Sequence, residues 1–166
     1  MKTDKVYLVG FMGAGKTSVG RALAKRLDWR FVDIDEQIEQ RERLTVAEIF
    51  QRHGEPYFRG LERAVLTGHV ALRHAVVATG GGTFVDPQNR AIIKADGASV
   101  WLNVPLELVI ARIPQDGRRP LAADRANLER LFHARRTAYE QAHLHIDVGR
   151  AAVESLVDQL VDWLEA

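Results

Sequence analysis

Val6-Tyr-Leu-Val-Gly10-Phe-Met-Gly-Ala-Gly15-Lys16-Thr17-Ser18-Val19 is the stretch that decides the fold. Val6 to Val9 is a short apolar run ending at a glycine, which reads as a buried strand. From Lys16 to Leu27, Val19, Leu23 and Leu27 recur at helical spacing, with Ala22 and Ala24 filling the stripe. Between strand and helix, Gly10 to Thr17 fits G-x-x-x-x-G-K-[ST] in full. Strand, glycine loop and helix in that order make a phosphate cradle. The glycines let successive amides point inward, and the positive end of the helix faces the same space. Lys16 is placed to reach the β- and γ-phosphates of ATP, and the Thr17 hydroxyl to bind Mg2+. Gly13, Ala14, Gly15 and Ser18 complete the expected nucleotide contacts.

Outward from this loop, short apolar strands alternate with helices. Phe31 to Ile34 predicts a second strand and Glu36 to Arg43 a polar helix. Thr45-Val-Ala-Glu48 has the form of a capping box, opening a helix that stops near Gly54. A longer helix is expected from Glu55 to Arg73, then a strand from Ala75 to Ala78 that runs into Thr79-Gly80-Gly81-Gly82. Pro87 and Pro105 each open a helix, on either side of a strand from Ala98 to Asn103. Pro114 to Pro120 lacks periodicity and reads as a loop. A helix from Asp124 to Gln141, a strand from Leu144 to Val148 and a helix from Ala151 to Leu164 finish the chain. The strands are apolar throughout rather than alternating, the pattern of a parallel sheet covered on both faces. The expected fold is α/β, in three layers: a five-stranded parallel sheet flanked by helices, in a single domain over residues 1–166.

Composition narrows the function. With 23 basic and 22 acidic residues, the net charge is +1, too balanced for broad nucleic-acid or membrane-surface binding. The absence of cysteine removes disulfides, thiolate metal sites and cysteine nucleophiles. No apolar run approaches the ~18 residues of a membrane helix. Lys2 and Lys5 before an apolar run are signal-peptide-like, but Asp4 and the glycine loop argue otherwise, and a cytoplasmic location is expected. With no further apolar stripe, a monomer is expected.

Beyond the phosphate loop, Asp33 and Asp35 lie at the predicted carboxyl end of the second strand, where α/β sheets bind ligands. Strand alternation sends both to one side, so one can support the metal while the other holds a substrate hydroxyl. The other reading, that Asp35 simply caps the next helix, does not exclude that role. Arg59 has Glu62 one helical step away and can pair with it. Arg118 and Arg119 sit in the loop before Pro120, and Arg135 and Arg136 in the long helix. Arginine suits bidentate recognition of carboxylate and phosphate, although each one taken singly is equally a solvated surface residue. The three glycines Gly80 to Gly82 let a ligand approach bare backbone at a strand end. His143 and His145 read as structural or solvated, and Met12 and Trp101 as packing residues.

Together these pieces resemble the shikimate kinases over nearly the whole chain. The run Ile49-Phe50, Gly54-Glu55, Phe58-Arg59, Glu62 is similar to that family's I-F-x(3)-G-E-x(2)-F-R-x(2)-E pattern. The phosphate loop, the D-x-D pair, Thr79 to Gly82, Arg119-Pro120-Leu121, and Arg135 followed by Tyr139 come in the family's order. The resemblance implies a P-loop kinase akin to nucleoside monophosphate kinases, with a substrate-binding segment at about 33–62 and a short lid at about 112–124. It implies that shikimate is held by Asp35, Arg59, Gly81, Gly82 and Arg135, the arginines on its carboxylate and Asp35 on its ring hydroxyls. Lys16, Asp35 and Arg119 would be catalytic, Arg119 as a lid residue reaching ATP. Arg150 is the candidate adenine contact, Thr17 the magnesium ligand, and Asp33 an indirect one. Pro120-Leu121 is followed by Ala122, where the family commonly has a second leucine, and the segment from His143 to Gly149 is less typical. The implied reaction is transfer of the γ-phosphoryl of ATP to shikimate, giving shikimate 3-phosphate on the way to chorismate and the aromatic amino acids. A kinase of another sugar acid such as gluconate, and a nucleotide-binding regulator without transfer activity, are the alternatives.

Overall fold

The structure, a computed structural model, describes residues 1–112 and 125–166. Its elements run β1 (Lys5–Val9), α1 (Lys16–Leu27), β2 (Arg30–Asp33), α2 (Ile34–Glu42), α3 (Val46–His53) and α4 (Glu55–Gly68). They continue with β3 (Ala75–Ala78), a 3-10 turn (Thr83–Val85), α5 (Pro87–Asp96), β4 (Ala98–Asn103) and α6 (Leu106–Arg112). Then come α7 (Arg125–Tyr139), β5 (Leu144–Asp147) and α8 (Val153–Glu165). The five strands form one parallel sheet, as the sequence pattern implied, and the structure sets their order as β2-β3-β1-β4-β5.

Every residue of β1 and β3 is buried, because both faces of the sheet are covered by helices. On α8, Leu156, Val157, Leu160, Val161 and Leu164 form one buried stripe, and the helix packs along α1. The strand order changes direction at β1, whose neighbours are β3 and β4. That switch point puts the loops after β1, β2 and β3 side by side at the carboxyl edge of the sheet, where α/β folds bind ligands.

Local chemistry sets the boundaries. Thr45 and Glu48 form the expected capping box, with Thr45 Oγ1 accepting from the Glu48 amide and a Glu48 side-chain oxygen accepting from the Thr45 amide. Three expectations are corrected. β2 ends at Asp33, so Ile34 and Asp35 belong to α2. The helix expected to reach Arg73 stops at Gly68: the His69, Val70 and Leu72 amides turn to carbonyls three residues back, and the buried Lys5 ammonium takes the carbonyls of His69 and Val70. The last helix begins at Val153, two residues later than expected. Among the described residues, no helix is long and apolar enough to cross a membrane.

Candidate active site

The phosphate loop leaves β1 and closes on α1. Gly13 and Gly15 have φ of 77° and 94°, the left-handed region that a side chain disfavours. Lys16 folds back over its own loop, donating to the carbonyls of Gly10 at 2.6 Å and Phe11 at 2.9 Å. Thr17 donates its hydroxyl to Asp33 Oδ2 at 2.7 Å. The other oxygen of Asp33 accepts from the Glu36 amide and so caps α2. Asp33, not Asp35, is therefore the helix cap. Strand alternation does not relate the two acids, since Asp35 stands in the first turn of α2. Both still line one cavity of about 660 Å3 with the phosphate loop.

The opposite wall of that cavity is the triple glycine after β3. Each glycine lies close against side chains of the site, Gly80 also against Glu62 and Thr83, 3.2 and 3.3 Å from where its Cβ would be. A Cβ on Gly80 would stand 2.8 Å from Asp35 Oδ1, and one on Gly81 would stand 3.2 Å from Arg135 Nη1. A Cβ on Gly82 would stand 2.6 Å from both terminal nitrogens of Arg59. The absent side chains thus make room for protein groups, where the sequence suggested room for ligand alone. Arg59 and Arg135, from α4 and α7, both line the cavity at this turn.

Arg59 pairs with the buried Glu62 at 3.2 Å, as its spacing suggested, and with Glu55 at 3.1 Å. Burial opposes its charge, but the two carboxylates outweigh that and raise its pKa. Arg135 is buried to 7% exposure, its guanidinium 5.9 Å from the centre of the Phe11 ring. Tyr139, one turn further along α7, donates to the Gly81 carbonyl at 2.5 Å. Its phenol is pushed up by burial, so it stays a donor at neutral pH.

Of the remaining candidates, Arg136 points away from the cavity, over the Trp101 ring and toward Asn103. Arg118 and Arg119, with all of the expected lid except Arg112, lie outside the described residues. Arg150 is exposed in the turn after β5 and lines neither the main cavity nor a smaller one of about 220 Å3 beside it. His143 accepts from Ser99 and His145 contacts the Glu140 carbonyl, structural positions for both.

Sequence reasoning missed Arg112, which borders both cavities and donates to the Gly13 carbonyl at 3.4 Å. Its signal was its place in the sequence, shortly before Pro114 to Pro120, the stretch whose composition reads as a loop. Met12 lines the cavity as well as packing.

A parallel sheet of this order, with the phosphate loop on its central strand and a paired-arginine cavity beside it, defines a P-loop kinase. Thymidylate kinase from Candida albicans shares the fold at a TM-score of 0.63 and 14% identity, over 99% of this chain and 92% of that one. The chain belongs to the shikimate kinase family, whose sequence model matches residues 12–165. It is 40% identical to the shikimate kinase of Persephonella marina over 94% of this chain and 96% of that protein. The shikimate kinase of Acinetobacter baumannii, solved in complex with shikimate, superposes with a TM-score of 0.94 at 36% identity, covering 98% of this chain and 93% of that one.

Proposed function

We propose that this protein transfers the γ-phosphoryl group of ATP to a ring hydroxyl of shikimate, yielding shikimate 3-phosphate. The observation that carries the acceptor assignment is the convergence of Arg59, Arg135 and Asp35 on one glycine turn, facing the phosphate loop across a single cavity. Two guanidinium groups suit a carboxylate, and a carboxylate beside them suits a hydroxyl. ATP would lay its phosphates on the amides from Gly13 to Ser18, with Lys16 leaving its loop carbonyls for the β- and γ-phosphates. The smaller cavity, walled by Val19, Val148, Ala151 and Leu156 with Arg112 at its rim, suits the adenine ring better than Arg150 does.

The residues present fit Mg2+, a hard cation that takes oxygen ligands. Thr17 donates its proton to Asp33, which leaves the hydroxyl lone pairs for the ion and places Asp33 behind the ligand. When bound, the ion would neutralise charge on the phosphates. The protein's own part is placement. Arg59 and Arg135 fix the acceptor, and Asp35 orients the attacking hydroxyl and is the candidate base for its proton.

The test is a transfer assay with ATP and Mg2+, the products resolved by mass and NMR. Shikimate phosphorylated at the ring 3-hydroxyl is the expected result. Turnover of gluconate with shikimate left unchanged would overturn the acceptor assignment. Nucleotide binding without transfer to any hydroxy acid would favour a regulator.

A further inference from the structure

Glu62 is a carboxylate with no solvent exposure, on the side of α4 that faces the triple glycine. A buried carboxylate is costly unless its oxygens are bonded. Arg59 meets it with one nitrogen only: Nη1 lies 3.2 Å from each Glu62 oxygen. One nitrogen shared between two oxygens does not set the rotation of the carboxylate plane. A shorter bond does that. Thr83 donates its hydroxyl to Glu62 Oε2 at 2.9 Å. The same hydroxyl accepts the Gly80 amide at 2.9 Å. A hydroxyl has one proton, so accepting from Gly80 leaves that proton to Glu62 and fixes its direction. All three groups are buried, where such a chain is stronger than in water.

From this relay, Gly80 amide to Thr83 hydroxyl to Glu62 carboxylate to Arg59, we infer that Thr83 is a positioning residue for acceptor binding. It ties the glycine turn to the angle at which Arg59 presents its guanidinium. Gly82 supports the same conclusion from the other side, since the guanidinium nitrogens rest only 2.6 Å from where a Cβ would be. The turn and the arginine are therefore set as a unit, and Thr83 is the hydrogen-bonding member of the unit. It touches neither nucleotide nor acceptor. The inference rests on the proposed acceptor and on Arg59 binding it.

The experiment is steady-state kinetics of Thr83→Val, which keeps the shape and removes donor and acceptor. The KM for shikimate should rise about tenfold, ~1.4 kcal/mol, near the low end of a hydrogen bond to a charged group because Thr83 acts through Glu62 rather than on the acceptor. The kcat and the KM for ATP should stay within about twofold of the parent, because the relay ends at Arg59. Thr83→Ser keeps the hydroxyl and should restore the parent KM. In an Arg59→Ala background Thr83→Val should add almost nothing, since the group it positions is gone. KM does not depend on the active fraction, so partial unfolding of a variant does not mimic the result. An unchanged KM in Thr83→Val, a Thr83→Ser variant as poor as valine, or a full penalty in the Arg59→Ala background would each overturn the role. A parent protein that phosphorylates no shikimate would overturn the functional reading instead, so the two failures are told apart by the parent alone.

Discussion

The two edges of the sheet both bury charge, and they do so to opposite ends. At the amino edge, Lys5 is wholly buried and lies 2.7 Å from Asp96, which also accepts from Tyr7 at 2.5 Å and from Arg73. The Lys5 ammonium gives its other bonds to the His69 and Val70 carbonyls. Each charge there is consumed by the protein. At the carboxyl edge, Lys16, Asp33, Asp35, Arg59 and Arg135 are also drawn in, but around a cavity. Their internal bonds orient them and leave faces turned toward that space. A saturated cluster contributes stability, whereas an oriented one contributes binding and chemistry. Substitutions at the two edges should therefore separate into different assays.

The largest effect should come from Lys16→Ala. With little covalent chemistry in phosphoryl transfer, removal of a phosphate-directed cation should lower kcat by about two to three orders of magnitude. Its thermal midpoint should move far less than that of any variant in the Lys5 cluster. Near-normal turnover would show that the loop lysine does not touch ATP.

Next comes Lys5→Met, which leaves Asp96 without its buried partner. Breaking such a pair should cost about 3–5 kcal/mol, read from urea unfolding, with KM values unchanged in the folded enzyme. The same cluster predicts a pH response. Burial alone would raise the Asp96 carboxyl, but the bonds from Lys5, Tyr7 and Arg73 outweigh it and lower its pKa from 3.8. A lowered folded value means stability fully present above the unfolded value and lost as pH falls through the folded one. The advantage of the parent over Asp96→Asn should therefore hold at neutral pH and shrink below about pH 4. A gap that stays constant down to acid pH would show that the charge on Asp96 contributes nothing.

Arg135→Ala and Arg59→Ala should each raise the KM for shikimate roughly 10- to 150-fold, the worth of a hydrogen bond to a charged group. Lysine at either position should rescue in part, since it keeps the charge and loses the planar fork. The double variant should fall short of the summed effects if both arginines grip one carboxylate. A shikimate analogue with a neutral amide in place of the carboxylate should bind the parent poorly and be nearly indifferent to Arg135→Ala. Strict additivity, or an analogue used as well as shikimate, would remove the shared carboxylate.

The same division explains what the sequence disclosed. The phosphate loop is contiguous, so Gly10 to Thr17 could be read directly, and with it the strand and helix on either side. Apolar strands of four to six residues between helical stripes were enough for a five-stranded parallel sheet. Arg59 and Glu62 are one helical step apart, so their pairing was also legible. Contacts between distant segments were not. Lys5 drew notice in the sequence only as a signal-peptide-like cation before an apolar run, yet its partners are His69, Val70 and Asp96. Arg135 and Arg136 are adjacent and chemically identical: the family resemblance, not the local pattern, singled out Arg135, and the packing of α7 brings that one to the cavity. Asp33 and Asp35 misled for a related reason: a strand period was assumed across a boundary where the chain had already turned helical.

The smallest effect tests whether the scaffold beside the cavity is as tolerant as its division of labour implies. α3 begins at the Thr45 capping box and carries Ile49, which is fully buried, and Phe50, which lines the cavity and contacts Phe58 with ring centroids 5.0 Å apart. Thr45→Ala removes the bond to the Glu48 amide and should cost about 1 kcal/mol. For a domain of this size that is a fall of roughly 2–4 °C in thermal midpoint. Phe50 is held by the Phe58 ring as well as by its own helix, so the KM for shikimate should stay within about twofold. If KM instead rose in step with the lost stability, the cap would be placing Phe50 against the acceptor. The boundary between stabilising and binding residues at the carboxyl edge would then have to be moved out to α3.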